Sequence, residues 1–232
     1  MKLRNPFRDL TKFEWILWIS SLVVVTLSYT LVPNGSVMSL IASLVGVTAL
    51  IFVAKGYVIG QVLCILFAVF YGIVSFYFRY YGEMITYLGM SAPAALVSVI
   101  SWLRHPYGDS AEVKISPMSA KKWGLTSVAT VLATVLFYFI LGALDTANLE
   151  ISTLSVTTSF LASALTFLRS PWYALAYAAN DLVLIAMWIL ASIEDSSYLP
   201  MVFCFVMFLA NDVYGFLNWQ RMRRRQASVE NL

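Results

Sequence analysis

Two Asn-Asp doublets, Asn180-Asp181 and Asn211-Asp212, are where this sequence could do chemistry. Each lies inside a run of apolar residues. A carboxylate at the middle of a bilayer costs at least roughly 2.5–3.5 kcal/mol on insertion scales, so such an acid is expected to face a bundle interior or a wet cavity. Helical spacing collects partners around each doublet. At about 100° per residue, Tyr177, Asn180, Asp181, Leu184 and Trp188 share one face. Farther along, Asn211, Tyr214 and Asn218 form one stripe, and Asp212, Gly215 and Trp219 form its neighbour. Amides both donate and accept, so they can read another amide or a hydroxyl. Indoles and phenols stack on a flat heterocycle or sit over a cation. The carboxylates would offset a positive charge. The plainer reading of these residues is a hydrogen-bond network that only joins helices. In the first half of the chain, Gln61 and Tyr87 are the best candidates to face the same site, while Tyr71 is more simply a packing residue.

The elements that hold these residues must be membrane helices. Of 232 residues, 60% are hydrophobic and only 12% charged, with a mean hydropathy of +0.80. A soluble domain runs near 25% charged, and a disordered chain is polar. Eight apolar runs approach the roughly 20 residues that a helix needs to cross a bilayer. They are Phe13–Leu31, Ser39–Ala54, Tyr57–Phe78, Glu83–Leu103, Trp123–Leu144, Thr153–Leu168, Trp172–Ser192 and Tyr198–Trp219. The runs are continuous rather than alternating, which excludes the strands of a barrel. The expected fold class is an all-α membrane protein with eight transmembrane helices.

Charge placement orients the chain. With the N-terminus in the cytoplasm, every Lys and Arg except Arg79 falls in an inside loop or terminus, as the positive-inside rule requires. Both termini are then cytoplasmic. The basic Arg221–Arg225 stretch reads as an anchor near anionic lipid, not as a nucleic-acid site. Glu83 lies near the outer surface, where a solvated helix start is its simplest role. Asn34-Gly35-Ser36 matches a glycosylation sequon by chance.

Weak self-similarity divides the chain. Leu40-Ile-Ala-Ser43 resembles Phe160-Leu-Ala-Ser163, and Ser101-Trp-Leu-Arg104 resembles Asn218-Trp-Gln-Arg221. One connecting span between two three-helix units makes a parallel 3+1+3 repeat, a transporter design that places a site between the halves near mid-depth. The expected organisation is an N-terminal extra helix (1–37), a first three-helix bundle (38–104), a cytoplasmic loop and connecting helix (105–150), a second bundle (151–222) and a basic cytoplasmic tail (223–232). Gly89 and Pro93 predict a kink in the fourth span.

Several chemistries are excluded. There is no Walker-type Gly-x-x-x-x-Gly-Lys and no zinc or nucleophile-elbow motif. Cys64 and Cys204 sit in apolar runs and His105 stands alone, so no metal, cofactor or disulfide framework is expected. The loops are too short to carry an enzyme.

Four stretches resemble the PnuC-type nicotinamide riboside transporters: Tyr81-Gly-Glu-Met-Ile-Thr-Tyr87, Ile100-Ser-Trp-Leu-Arg104, Ala176-Tyr-Ala-Ala-Asn-Asp-Leu182 and Phe208-Leu-Ala-Asn-Asp-Val-Tyr-Gly-Phe-Leu-Asn-Trp219. The resemblance spans roughly residues 38–222 and leaves the N-terminal helix outside. It implies a 3+1+3 fold similar to the SWEET transporters, a bacterial inner-membrane location and a homotrimer. It also implies facilitated diffusion, with a cytoplasmic kinase trapping the riboside as its phosphate. The family lines its site with aromatics and amides, a pattern that Asn180, Trp188, Asn211, Tyr214 and Trp219 fit. Where many members carry an Asn after an Ile-Gly pair, Ile59-Gly60 is followed here by Gln61.

The expectation is therefore a vitamin transporter working by alternating access. Its substrate site would comprise Gln61, Tyr87, Tyr177, Asn180, Asp181, Trp188, Asn211, Asp212, Tyr214, Asn218 and Trp219. Nicotinamide riboside, with its cationic ring, amide and ribose, suits that set. The alternatives are thiamine (also a flat cation), less readily the neutral riboflavin, proton-coupled uptake through the two aspartates, or a membrane-embedded vitamin-binding subunit.

Overall fold

The computed structural model describes residues 5–32, 36–77, 81–146 and 148–230. Lys2, Arg4, Arg79, Asn34 and Gly35 lie outside the described residues. Eight long helices make up the fold: α1 (Lys12–Leu31), α2 (Val37–Ala54), α3 (Val58–Tyr77), α4 (Tyr81–Leu103), α5 (Ala120–Ala143), α6 (Leu149–Phe167), α7 (Tyr173–Glu194) and α8 (Leu199–Glu230). No β-strand occurs among the described residues, only isolated bridges at Tyr57–Glu112 and Pro106–Val113. Local chemistry starts several helices. Thr11 and Glu14 form a reciprocal capping box on α1, and the Ser36 and Ser119 side chains cap α2 and α5.

Seven of the eight helices are long and apolar enough to cross a membrane. The exception is α6, expected from sequence as a span over Thr153–Leu168. Its composition is diluted by Ser and Thr, yet Thr153, Thr157 and Thr166 donate their hydroxyls to its own carbonyls at 2.7–2.8 Å. α8 also differs from expectation. It continues past Trp219 to Glu230, so the basic stretch is helical.

Six helices close into a ring. α2 packs on α3, α3 on α4, α4 on α6, α6 on α7, α7 on α8, and α8 back on α2. α5 packs outside the ring against α6 and turns Leu125, Val128, Leu132, Leu136 and Phe139 outward. α1 also lies outside, against α2 and α8. Polar bonds dock it: Trp18 donates to Thr48 Oγ1 at 3.0 Å, and Lys55 reaches both oxygens of Glu14 at 3.0 Å. The α2–α3 hairpin is tight enough to require a glycine. A Cβ on Gly60 would lie 2.5 Å from the backbone nitrogen of Val53.

The expected kink in α4 takes the form of a π-helical turn over Thr86–Ser91. Pro93 has no N–H for the carbonyl of Gly89. Just before it, the Ala92 N–H bonds the carbonyl of Tyr87 instead of Leu88. Such widened turns reorient the side chains they carry.

The loop between α4 and α5 seals one end of the ring. The Val113 N–H bonds the carbonyl of Gly56, which sits at φ +69° in the α2–α3 turn, and the Ser116 N–H bonds Arg169 in the α6–α7 turn. The Gln226 side chain accepts from the Ile115 N–H and donates to the Val113 carbonyl. This strap ties the loop to the end of α8.

Candidate functional site

The ring encloses a cavity of about 100 Å³. Its lining comes from all six ring helices and from neither α1 nor α5. α3 contributes Gln61, Cys64 and Phe67; the π-turn of α4 contributes Tyr87 and Ser91, with Ser98 a little beyond. From α7 come Tyr177, Asn180, Asp181 and Leu184. From α8 come Phe205, Phe208 and Asp212, at the i, i+3, i+7 spacing of one helical face. α6 adds Ser159, Ser163 and Thr166, and the small Gly46 and Ala49 of α2 complete the wall.

The polar groups are arranged to leave capacity for a ligand. Gln61 is only 4% exposed and turns its amide into the cavity lining. The Asn180 carbonyl oxygen accepts from Thr158 at 2.8 Å and from Ser155 at 3.4 Å. Its amide hydrogens are thereby left for the cavity. Asp181 and Asp212 face each other closely enough to share a hydrogen bond. The second oxygen of Asp181 is buried without a partner. Tyr177 shares a 3.0 Å hydrogen bond with Ser163. No nucleophile stands beside a histidine here, since His105 lies in the sealing loop and contacts the Ser101 carbonyl. The lining offers donors, acceptors and ring faces to a ligand.

Aromatic layers close the cavity at both ends. Away from the sealing loop, Tyr87 packs on Tyr71 with ring centroids 4.3 Å apart, and Phe67 meets Phe208 at 5.6 Å. Toward the loop, Trp219 packs on Tyr173 at 4.7 Å and on Trp102 at 5.4 Å.

Of the residues singled out from sequence, the structure gathers Gln61, Tyr87, Tyr177, Asn180, Asp181 and Asp212 round this cavity. Five others lie elsewhere. Asn211 donates to Ser21 Oγ at 3.0 Å and faces α1, and Tyr214 donates to Glu14 Oε1 at 2.7 Å. Asn218 donates to the Ala54 carbonyl, and the fully buried Trp219 to the Val53 carbonyl. Asn211 and Tyr214 thus turn outward to α1, and Asn218 to the end of α2, because Asp212 turns inward. Trp188 lies one turn beyond the cavity. It lines a smaller one, of about 80 Å³, with Tyr71, Glu83 and Tyr198, and its indole N–H has no partner. Glu83 therefore faces that small cavity and not open solvent alone.

Sequence reasoning missed Phe205, Phe208 and the serines. The phenylalanines were accessible by asking which residues share a face with Asp212. The serines carried no signal, because hydroxyls in apolar helices usually bond their own backbone.

Comparison with known proteins gives consistent relatives. The profile of the nicotinamide mononucleotide transporter family matches residues 36–221. The chain is 27% identical over 229 residues to the nicotinamide riboside transporter PnuC of Neisseria mucosa, covering 97% of this chain and 87% of that protein. It is 23% identical over 227 residues to the PnuC of Haemophilus influenzae, covering 97% of each. The crystal structure of the vitamin B3 transporter PnuC superposes with a TM-score of 0.81 at 26% identity, covering 94% of both chains.

Proposed function

The chain belongs to the nicotinamide mononucleotide transporter family, and from that premise we propose that it carries nicotinamide riboside across the bacterial inner membrane by facilitated diffusion. The observation that carries this reading is the cavity inside the six-helix ring, where two amides, a carboxyl pair and aromatic rings converge. Gln61 and Asn180 bind the carboxamide or the ribose hydroxyls. Tyr87, Phe67 and Phe208 stack on the pyridinium ring. Asp181 and Asp212 offset its charge. No bond is made or broken in the substrate.

Transport follows from the aromatic layers at the two ends. At about 100 Å³ the cavity is smaller than the roughly 300–1,000 Å³ of ordinary ligand sites. Substrate entry therefore requires the walls to part. We read the two three-helix units, α2–α4 and α6–α8, as a parallel 3+1+3 repeat that rocks about the site, opening one layer while the other stays closed. α6 is the eighth span in this reading. Both termini, the sealing loop and the basic end of α8 are cytoplasmic. A cytoplasmic kinase phosphorylates the arriving riboside and keeps the gradient inward, and the assembly is a homotrimer.

Binding of nicotinamide riboside, thiamine and riboflavin to detergent-purified protein, followed by flux into liposomes, tests the reading. Saturable binding of the riboside with passive flux supports it. Binding of thiamine instead would change the vitamin and keep the site. Binding without flux would make the chain a capture subunit. A second reading, proton-coupled uptake, is favoured by the facing carboxyls of Asp181 and Asp212. Accumulation against a gradient in kinase-free vesicles, abolished by a protonophore, would establish it.

A further inference from the structure

A second cavity of about 390 Å³ lies outside the ring, where α1, the α2–α3 turn, the sealing loop and α8 meet. It shares no lining residue with the central cavity. Its size falls within the range of small-molecule sites, and its wall is mixed. Phe13 and Tyr214 form an aromatic flank, with ring centroids 5.2 Å apart.

Charge distinguishes this pocket. Two acids line it, and both are engaged. Glu14 is 1% exposed and accepts from Lys55, from the Thr11 N–H and from Tyr214. Glu112 is held by Arg225. Arg221, one turn before Arg225 on the same helical face, also lines the pocket. It makes no hydrogen bond or ion pair among the described residues, although its charge is felt by Tyr214. Pairing Glu14 with Lys55 and Glu112 with Arg225 leaves one uncompensated positive charge, on a guanidinium at the pocket wall.

We propose that this pocket binds a phosphate group, with Arg221 as its bidentate partner and Arg225 as a second donor. A guanidinium presents parallel N–H groups that match phosphate oxygens, and charge-assisted bonds of this kind are the strong ones. The aromatic flank would hold the organic part of a phosphate ester. Two sources supply the same chemistry, a soluble phosphate monoester and the phosphodiester of a lipid headgroup. The cytoplasmic setting rests on the orientation proposed above. There, trapping would produce a monoester of the substrate itself, so the pocket would report how much trapped product has accumulated. Binding as such does not depend on that orientation.

The test is titration of the full-length protein in detergent with ribose 5-phosphate, which lacks the pyridinium, and separately with short-chain phosphatidylglycerol. The expected result is saturable binding of at least one, weakened about tenfold or more by Arg221→Gln, as for loss of a charged hydrogen bond. Arg221→Lys should retain part of the affinity, and riboside affinity should be unchanged in both variants. Binding of the monoester alone identifies a soluble ligand; binding of the lipid alone identifies a headgroup. Failure of the wild type to bind either, or equal affinity in Arg221→Gln, overturns the proposal. Loss of riboside binding in Asn180→Leu with phosphate binding intact separates this site from the central one. Absence of riboside binding in the wild type would count against the transport reading alone.

Discussion

Trp102 of α4 and Trp219 of α8 face each other with ring centroids 5.4 Å apart, and each donates its indole N–H across to the other half of the chain. Trp102 donates to the Thr166 carbonyl at the end of α6, and Trp219 to the Val53 carbonyl at the end of α2, both at 3.0 Å. Their neighbours repeat the pattern, since Ser101 donates to the Phe167 carbonyl and Asn218 to that of Ala54. The faint similarity of Ser101-Trp102 and Asn218-Trp219 thus corresponds to two equivalent clasps. That is the relation a parallel repeat produces, and it supports one.

The clasp should be energetically coupled. Trp219→Phe is expected to cost about 1 kcal/mol for the lost hydrogen bond, and Trp219→Ala about 3–5 kcal/mol for the cavity left behind. In a double-mutant cycle with Trp102→Phe, thermal unfolding in detergent should show a departure from additivity of about 0.5–1.5 kcal/mol. Additive losses would mean that the rings merely coexist.

Asn180 and Asn211 should separate cleanly. Asn180 spends its carbonyl on α6 and keeps its N–H groups for the cavity, so Asn180→Leu is expected to weaken riboside binding about tenfold or more. Asn211 bonds Ser21 of α1. Asn211→Leu is expected to lower thermal stability by about 1–3 kcal/mol while leaving affinity near wild type. Loss of binding in Asn211→Leu with stability unchanged would return Asn211 to the site.

Asp212 should discriminate by charge. Asp212→Asn keeps the shape and removes the carboxylate from the cavity wall. Calorimetry is expected to show about tenfold weaker binding of the cationic riboside and a smaller loss for a neutral reduced analogue, consistent with a charge pair in a region of low dielectric. Equal losses for both ligands would make the Asp181–Asp212 pair a structural clamp.

Glu14 and Lys55 lock α1 to the ring. Their side chains are 2% and 12% exposed, with a 3.0 Å separation. Lys55→Met should destabilise by about 3–5 kcal/mol, because it strands a buried carboxylate. The double variant Glu14→Gln/Lys55→Met should recover much of that loss. If Lys55→Met unfolds at the wild-type temperature, α1 is held by its apolar face alone.

Much of this protein was legible in the residues themselves. Apolar runs and their flanking charges determine a helical membrane protein, because only helices and closed barrels satisfy their backbone hydrogen bonds in lipid and the runs are continuous rather than alternating. The two Asn-Asp doublets determine that α7 and α8 carry a buried polar seam, because acids in such runs need partners. That both residues of the first doublet but only Asp212 of the second face the cavity was decided only by tertiary structure. Adjacent residues lie about 100° apart on a helix, so a rotation of α8 by about that angle would exchange Asn211 for Asp212. That rotation is set by α1, whose Ser21 and Glu14 claim Asn211 and Tyr214. Trp188 shares the face of Asn180 and Asp181 but lies one turn beyond the cavity, because periodicity records angle and not where the aromatic layers close. The π-turn was visible only as a glycine and a proline. Its register, which brings Tyr87 and Ser91 to the cavity, depends on how α4 packs against α3 and α6.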